Sequence, residues 1–297
     1  MKIGYPCINR TIGCTADRTF RLKSYSESRL IETVENNLDC LLQILEFNVK
    51  YNIFFFRITS DLVPFASHPI NRFDWINHFQ NLFENVGSFI HKHNIRISMH
   101  PDQFIVINSP DEGIWERSRA ELVYHTQVLD ALELDSTARI QLHVGGVYGN
   151  KPASMERFAL RFSQLPASVQ SRLVIENDDR LFTVADCLNV STITGIPVLF
   201  DTFHHSVNNS GETVEQAIAL CAETWTMKDG LPMVDYSSQA PGERKGNHAE
   251  SLDPDHYSTF LKNTQSIDFD IMLEIKDKEA SALKAVSLSK SDIRFLN

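Results

Sequence analysis

At 297 residues, 42% of them hydrophobic and 22% charged, with no low-complexity segment, the chain can bury a full core. That length fits one α/β barrel, for which about 250 residues is typical, or two domains of about 150. The formal charge of −10, from 28 basic and 38 acidic residues, argues against a protein that coats nucleic acid non-specifically. An enzyme that holds DNA in one groove remains open, because ions bound by clustered carboxylates cancel charge where a phosphate would sit.

Lys2 to Pro6 reads as a first strand followed by a polar loop. No signal peptide precedes it, and no apolar run reaches the roughly 18 residues of a membrane span, so a soluble cytoplasmic protein is expected. Ser26 to Tyr51 carries apolar residues at three- and four-residue steps from Leu30 to Val49, an amphipathic helix. Ile53 to Thr59 predicts a second strand, Asp61 to Pro69 a loop, and a helix then runs to about His93. Arg96 to His100 is a third strand and Glu112 to Leu132 a helix. Arg139 to Val144 is a fourth strand closed by Gly145 and Gly146.

The next two strands are short Val/Ile/Leu runs, the pattern of strands buried on both faces. One ends in Glu176, the other in Asp201 with His204 and His205. Thr213 to Glu223 predicts a helix, Leu231 to Ser237 a seventh strand, and Pro241 to His248 a Gly/Lys/Arg-rich loop. Pro254 to Lys262 is helical, Phe269 to Ile275 an eighth strand, and the last twenty residues an exposed closing helix. Eight strands alternating with helices and no linker give a single-domain α/β (β/α)8 TIM barrel over 1–297.

The strand ends carry Tyr5, Arg57, His100, His143, Glu176, Asp201 with His204, Asp235 and Glu274. Any one carboxylate there could simply cap the following helix, but seven His, Asp or Glu residues ending strands three to eight exceed capping. Barrels build active sites at this face. Imidazoles and carboxylates without thiolate suit manganese, zinc or iron(II), and the donors are too many for one ion. A cluster of two or three ions is the economical reading, and Glu176 is central enough to bridge. His205 would orient a ligand or contact substrate, and His248 belongs to the site or to the exposed loop. His68 reads equally well as loop or site, whereas His78, His91, His93, His125 and His256 read as surface residues. Cys7, Cys14, Cys40, Cys187 and Cys221 form no C-x-x-C pair, so reduced, mostly buried thiols are expected.

Several motifs in order resemble the UV damage endonucleases. They are Gly4-Tyr5-Pro6-Cys7 with Asn9, Phe65-Ala66-Ser67-His68-Pro69, Ser98-Met99-His100-Pro101, Leu142-His143-Val144-Gly145-Gly146, Glu176-Asn177-Asp178, Asp201-Thr202 with His204-His205, and Glu274 with Lys276 and Lys278-Glu279. The resemblance spans Lys2 to Glu279. It implies a barrel related to endonuclease IV and an ATP-independent DNA repair enzyme with no nucleotide cofactor. Such an enzyme nicks damaged double-stranded DNA 5′ of UV photoproducts, leaving a 3′-hydroxyl and a 5′-phosphate. It further implies two or three Mn2+ ions, with Zn2+ or Co2+ as substitutes. On matching positions His100, His143 and Glu176 would hold one ion; Glu176, Asp201 and Glu274, with strand seven, a second; His204 and His248 a third. His68 would stand near the scissile phosphate and Lys276 beside Glu274 as a phosphate contact.

The resemblance also implies that Gln103 and Phe104 probe base stacking, with Phe104 standing where the family has Tyr. On spacing alone Phe104 is an ordinary core residue. Tyr5 would line the lesion pocket together with Asn9. Strand seven departs from the family pattern, which has Lys at Met233 and His at Asp235; Asp235 could still ligate a metal. A monomer is expected. The rivals are an abasic-site endonuclease, a metal-dependent sugar isomerase or epimerase, and a catalytically dead barrel that binds damaged DNA. Lys151, Arg180, Arg244 and Lys245 are candidate backbone contacts.

Overall fold

The computed structural model describes residues 1–295. Eight short parallel strands close on themselves in sequence order. They are β1 (Ile3–Pro6), β2 (Phe55–Ile58), β3 (Arg96–Met99), β4 (Arg139–His143), β5 (Leu173–Glu176), β6 (Val198–Asp201), β7 (Met233–Tyr236) and β8 (Asp270–Leu273). Around them run α1 (Glu27–Lys50), α2 (Trp75–His78), α3 (Gln80–Lys92), α4 (Glu112–Ala131), α5 (Lys151–Gln164) and α6 (Ala167–Gln170). The ring is completed by α7 (Val184–Thr194), α8 (Thr202–Val207), α9 (Val214–Ala222), α10 (Pro254–Asn263) and α11 (Glu279–Ser289). The expected barrel is thus observed, with the helical segments after β2, β4 and β6 each broken in two. Among the described residues no helix is long and apolar enough to cross a membrane.

Register decides which side chains enter the barrel. Gly4 pairs with Phe55, Arg57 with Ser98, His143 with Glu176, Asp201 with Asp235, and Asp235 with Met272. Because alternate residues share a face, these pairings carry one inward face around the whole ring. Its middle layer is apolar: Phe55, Val174, Leu199, Met233 and Met272 pack with Trp225. Toward the N-terminal ends lie Arg96 on Asp270 at 2.6 Å and Arg139 on Asp229 at 3.0 Å, with both guanidiniums over Trp225. Toward the C-terminal ends the layer is Arg57, Gln141, Glu176, Asp201, Asp235 and Glu274. Gly4 is glycine for a steric reason, since a Cβ there would lie 2.2 Å from the Phe55 carbonyl oxygen.

Several expectations are corrected. The closing helix is not exposed: Ala282, Ala285 and Val286 of α11 are buried, and α11 packs against β1. Residues 296 and 297 of that segment lie outside the described residues. His125 is fully buried on α4, with Nε2 2.9 Å from Ser60 Oγ and Nδ1 donating to the Glu121 carbonyl. Its helix runs along the barrel wall, and spacing did not show that this face points inward. Cys14 and Cys40 form a disulfide that ties the β1–α1 loop to α1, leaving Cys7, Cys187 and Cys221 free. A separation of 26 residues carries no local signature of that pairing.

Candidate metal centre

Strand ends β3 to β5 bring His100, His143 and Glu176 together. His100 Nε2 lies 2.8 Å and His143 Nε2 3.2 Å from the same Glu176 oxygen. Glu176, Asp201 and His204 form a second group of converging donors, and Asp201, Asp235 and Glu274 a third. Glu176 belongs to the first two and Asp201 to the last two, so the groups are contiguous. Asp201 does both things its position allowed. Its Oδ1 accepts from the His204 amide at 2.7 Å, capping α8, while Oδ2 is buried without a hydrogen-bond donor, the His204 Nδ1 atom standing 3.5 Å away.

The backbone sets three imidazole tautomers. Nδ1 of His100 donates to the Pro101 carbonyl at 2.7 Å, Nδ1 of His204 to the Asn177 carbonyl at 3.0 Å, and Nδ1 of His248 to the Glu274 carbonyl at 2.8 Å. Each ring therefore keeps Nε2 as the atom available for a ligand, the arrangement that orients metal-binding histidines. Asn177 also clamps β5 to β6: its Nδ2 donates to the Asp201 carbonyl and its Oδ1 accepts from the Asp201 amide, both at 3.0 Å.

The electrostatics are those of crowded anions. Burial would push the Glu176 carboxyl up, but the His143 and His100 imidazoles hold it at about 2. Burial carries Asp201 up to about 7, with His204 opposing and Glu274 and Glu176 adding. Burial works against protonation of His204, yet Asp201, Glu176 and Glu274 raise it to about 9. Without added cations the basin thus retains protons on groups that would otherwise be ligands.

Two residues that sequence reasoning gave no role complete the floor. Arg57, 3% exposed, donates Nη1 to Glu274 and Nη2 to Gln141 at 2.6 Å and to both Asp235 oxygens at 2.9 and 2.7 Å. Gln141 passes the contact on, donating Nε2 to Glu176 Oε2 and Asp235 Oδ2, both at 2.6 Å. The available signal was a charged residue inside the apolar run Phe54 to Ile58 and a glutamine two residues before His143.

His248 sits beside the cluster: its ring is 6.3 Å from His204 and 4.8 Å from Phe203. It shares a cleft of about 550 Å³ with Arg57, His100, Glu274 and Lys276. Lys276 does not touch Glu274; its Nζ pairs with Glu250 at 2.5 Å. A second cleft of about 870 Å³ contains His68, Gln103, Phe104, Arg117 and Tyr148. His68 is therefore outside the donor cluster, exposed, with Nδ1 accepting from the Ile70 amide. Phe104 is 73% exposed, so it is not the core residue that spacing favoured.

Three of the expected site residues lie outside the donor cluster and its clefts. Tyr5 pairs with Phe56 rather than Phe55, which turns it outward toward α1. Its hydroxyl donates to Asn48 Oδ1 at 2.7 Å, and it has no exposure to any pocket. Asn9 is buried too, donating to the Tyr5 hydroxyl and accepting from the Thr11 and Ile12 amides. Both residues shape the loop after β1. His205 points away from the cluster, with Nε2 3.2 Å from the Glu212 carbonyl. Of the candidate backbone contacts, Lys151 pairs with Asp186 and Lys245 donates to the Val207 carbonyl; Arg180 is exposed beside Asp179.

Residues 1–295 match the family described as UV-endonuclease UvdE. A UV DNA damage endonuclease of Clostridium perfringens is 39% identical over 299 residues, covering 100% of this chain and 73% of that one. The crystal structure of SacUVDE superposes with a TM-score of 0.95 at 44% identity over 100% of both chains. At the level of fold alone, D-psicose 3-epimerase from Clostridium cellulolyticum has a TM-score of 0.56 at 12% identity, covering 85% of this chain and 93% of that one. Endonuclease IV from Thermus thermophilus has 0.55 at 16%, covering 84% and 92%.

Proposed function

Because the chain belongs to the UV-endonuclease UvdE family, we propose that it is a divalent-metal-dependent DNA repair endonuclease that incises the strand 5′ of UV photoproducts. The observation that carries the metal reading is the donor set itself. Nε2 atoms of His100 and His143 converge on Glu176, next to a buried Asp201 oxygen that accepts no hydrogen bond and has only the His204 ring 3.5 Å away. A buried carboxylate oxygen without a donor calls for a cation. The mixed nitrogen and oxygen donors, with no thiolate, suit Mn2+, and Zn2+ or Co2+ would fit the same set.

His100, His143 and Glu176 would hold one ion and Glu176, Asp201 and His204 another; His248 stands ready at the rim. Glu274 borders the second position. Bound ions would supply neutralisation of the phosphate and water acidified to a nucleophile at neutral pH. The chain's own residues do the rest. Pro101, Asn177 and Glu274 carbonyls keep the imidazoles oriented, and Gln141 holds Glu176 from beneath. His68, which shares its cleft with Gln103 and Phe104, would contact the DNA strand. Lys276 would release Glu250 to meet a phosphate. Phe104 and Gln103 project from the β3–α4 loop and would enter the duplex. Lesion choice then rests on energy, since weakly stacked, distorted sites cost less to open.

The same apparatus would cut abasic sites, which are also weakly stacked. End-labelled duplexes, undamaged, with one pyrimidine dimer or with one abasic site, separate the readings. A nick immediately 5′ of the dimer, abolished by chelator and restored by Mn2+, is the expected result. Cutting confined to the abasic duplex would reassign the enzyme to the apurinic class, and no cutting of any duplex would remove the endonuclease reading.

A further inference from the structure

Asp235 looks like a ligand by residue type, and its oxygens lie within reach of Asp201 and Glu274. Its partners say otherwise. Oδ1 accepts from Arg57, Oδ2 accepts from both Arg57 and Gln141, and the side chain has no exposure. Asp201 is the contrast: the same residue type, equally buried, with one oxygen that accepts no hydrogen bond and has only the His204 imidazole, a fellow donor, 3.5 Å away. Strand β7 offers no cation of its own, since Met233 below Asp235 belongs to the apolar layer.

We propose that the Arg57 guanidinium is a built-in cation that fills the seat between Asp235 and Glu274, so that the centre takes two divalent ions and Asp235 is a positioning residue rather than a ligand. A guanidinium suits this use. It is always charged, and its planar donors reach Glu274, Asp235 and Gln141 at once. Four carboxylates crowd this end of the barrel, and one fixed positive charge there removes the need for a third ion. Asp235 acts through others: it anchors Arg57 and accepts from Gln141, whose amide in turn fixes the Glu176 oxygen facing away from the imidazoles. Removing Asp235 would loosen Glu176 without deleting an ion site.

The proposal rests on the metal reading above and is tested without DNA. Bound Mn2+ is counted by electron paramagnetic resonance of the free ion against titrated protein, for wild type, Asp201→Asn, Asp235→Asn and Arg57→Met. About two equivalents are expected in the wild type and in Asp235→Asn, with affinity in the latter weaker by about 10–100-fold, the usual cost of an outer partner. Asp201→Asn should lose one equivalent. Arg57→Met should gain one, because the Asp201, Asp235 and Glu274 oxygens are freed for an ion. The Arg57→Met/Asp235→Leu double variant, which removes both partners of the buried pair, should return to two and covers the case in which Arg57→Met does not fold. Three equivalents in the wild type, or loss of one in Asp235→Asn, would overturn the proposal while leaving the metal reading intact. No bound Mn2+ in any protein would remove both.

Discussion

His204 shows how a single residue links folding to the charge of the candidate metal centre. In the metal-free protein it sits at about 9, above the ordinary 6.5, because Asp201, Glu176 and Glu274 surround it. The folded state therefore holds this proton more tightly than the unfolded chain. The resulting stability is complete below the unfolded value and is lost as pH rises through about 9. Thermal unfolding of chelated protein should show a midpoint that falls between about pH 7 and 9, and the fall should be shallower in His204→Gln. An identical slope in the variant would disconnect His204 from this behaviour. The clustered His, Asp and Glu residues were readable in the sequence because a charged or imidazole residue ending an apolar strand has few structural reasons to be there. Arg57, Gln141 and Asn177 were not, because their roles lie in what they touch across the barrel.

Among the elements, strands were legible from their Val/Ile/Leu runs, but the face each presents depended on register. Tyr5 is the instructive case: a one-residue step separates the inward Gly4 and the outward Tyr5, and nothing local in Gly4-Tyr5-Pro6 reports it. The N-terminal ionic layer follows the same inward face. Asp229→Ala would strand Arg139, 1% exposed, without its carboxylate and should cost about 3–5 kcal/mol in denaturant unfolding. Glu112→Ala, which breaks the surface pair with Arg161, should cost no more than about 1 kcal/mol. Equal costs would mean that the inner pair is solvated. In the β3–α4 loop, Phe104 is 73% exposed and has little packing to lose. Phe104→Ala should therefore leave the unfolding midpoint and Mn2+ binding unchanged. It should weaken binding to dimer-containing duplex by about 1–3 kcal/mol, the scale of one aromatic–base stack. A drop in midpoint with unchanged DNA affinity would make it a packing residue.

At the scale of the whole molecule, the barrel alone does not choose the chemistry, since it is shared with an epimerase and with endonuclease IV at 12–16% identity. The choice lies in the cluster at the strand ends and in the loops beside it. The Cys14–Cys40 bond is a long-range feature that composition could not reveal, and titration of unfolded, unreduced protein should find three free thiols, whereas five would contradict it. The central claim is that the donor cluster around Glu176 performs strand incision. Single-turnover cleavage of a duplex with one pyrimidine dimer, saturated with Mn2+, tests it by comparing wild type with Glu176→Gln. The variant is expected to fail to nick the duplex even at protein concentrations that saturate binding. Nicking by Glu176→Gln at the wild-type rate would place the chemistry elsewhere.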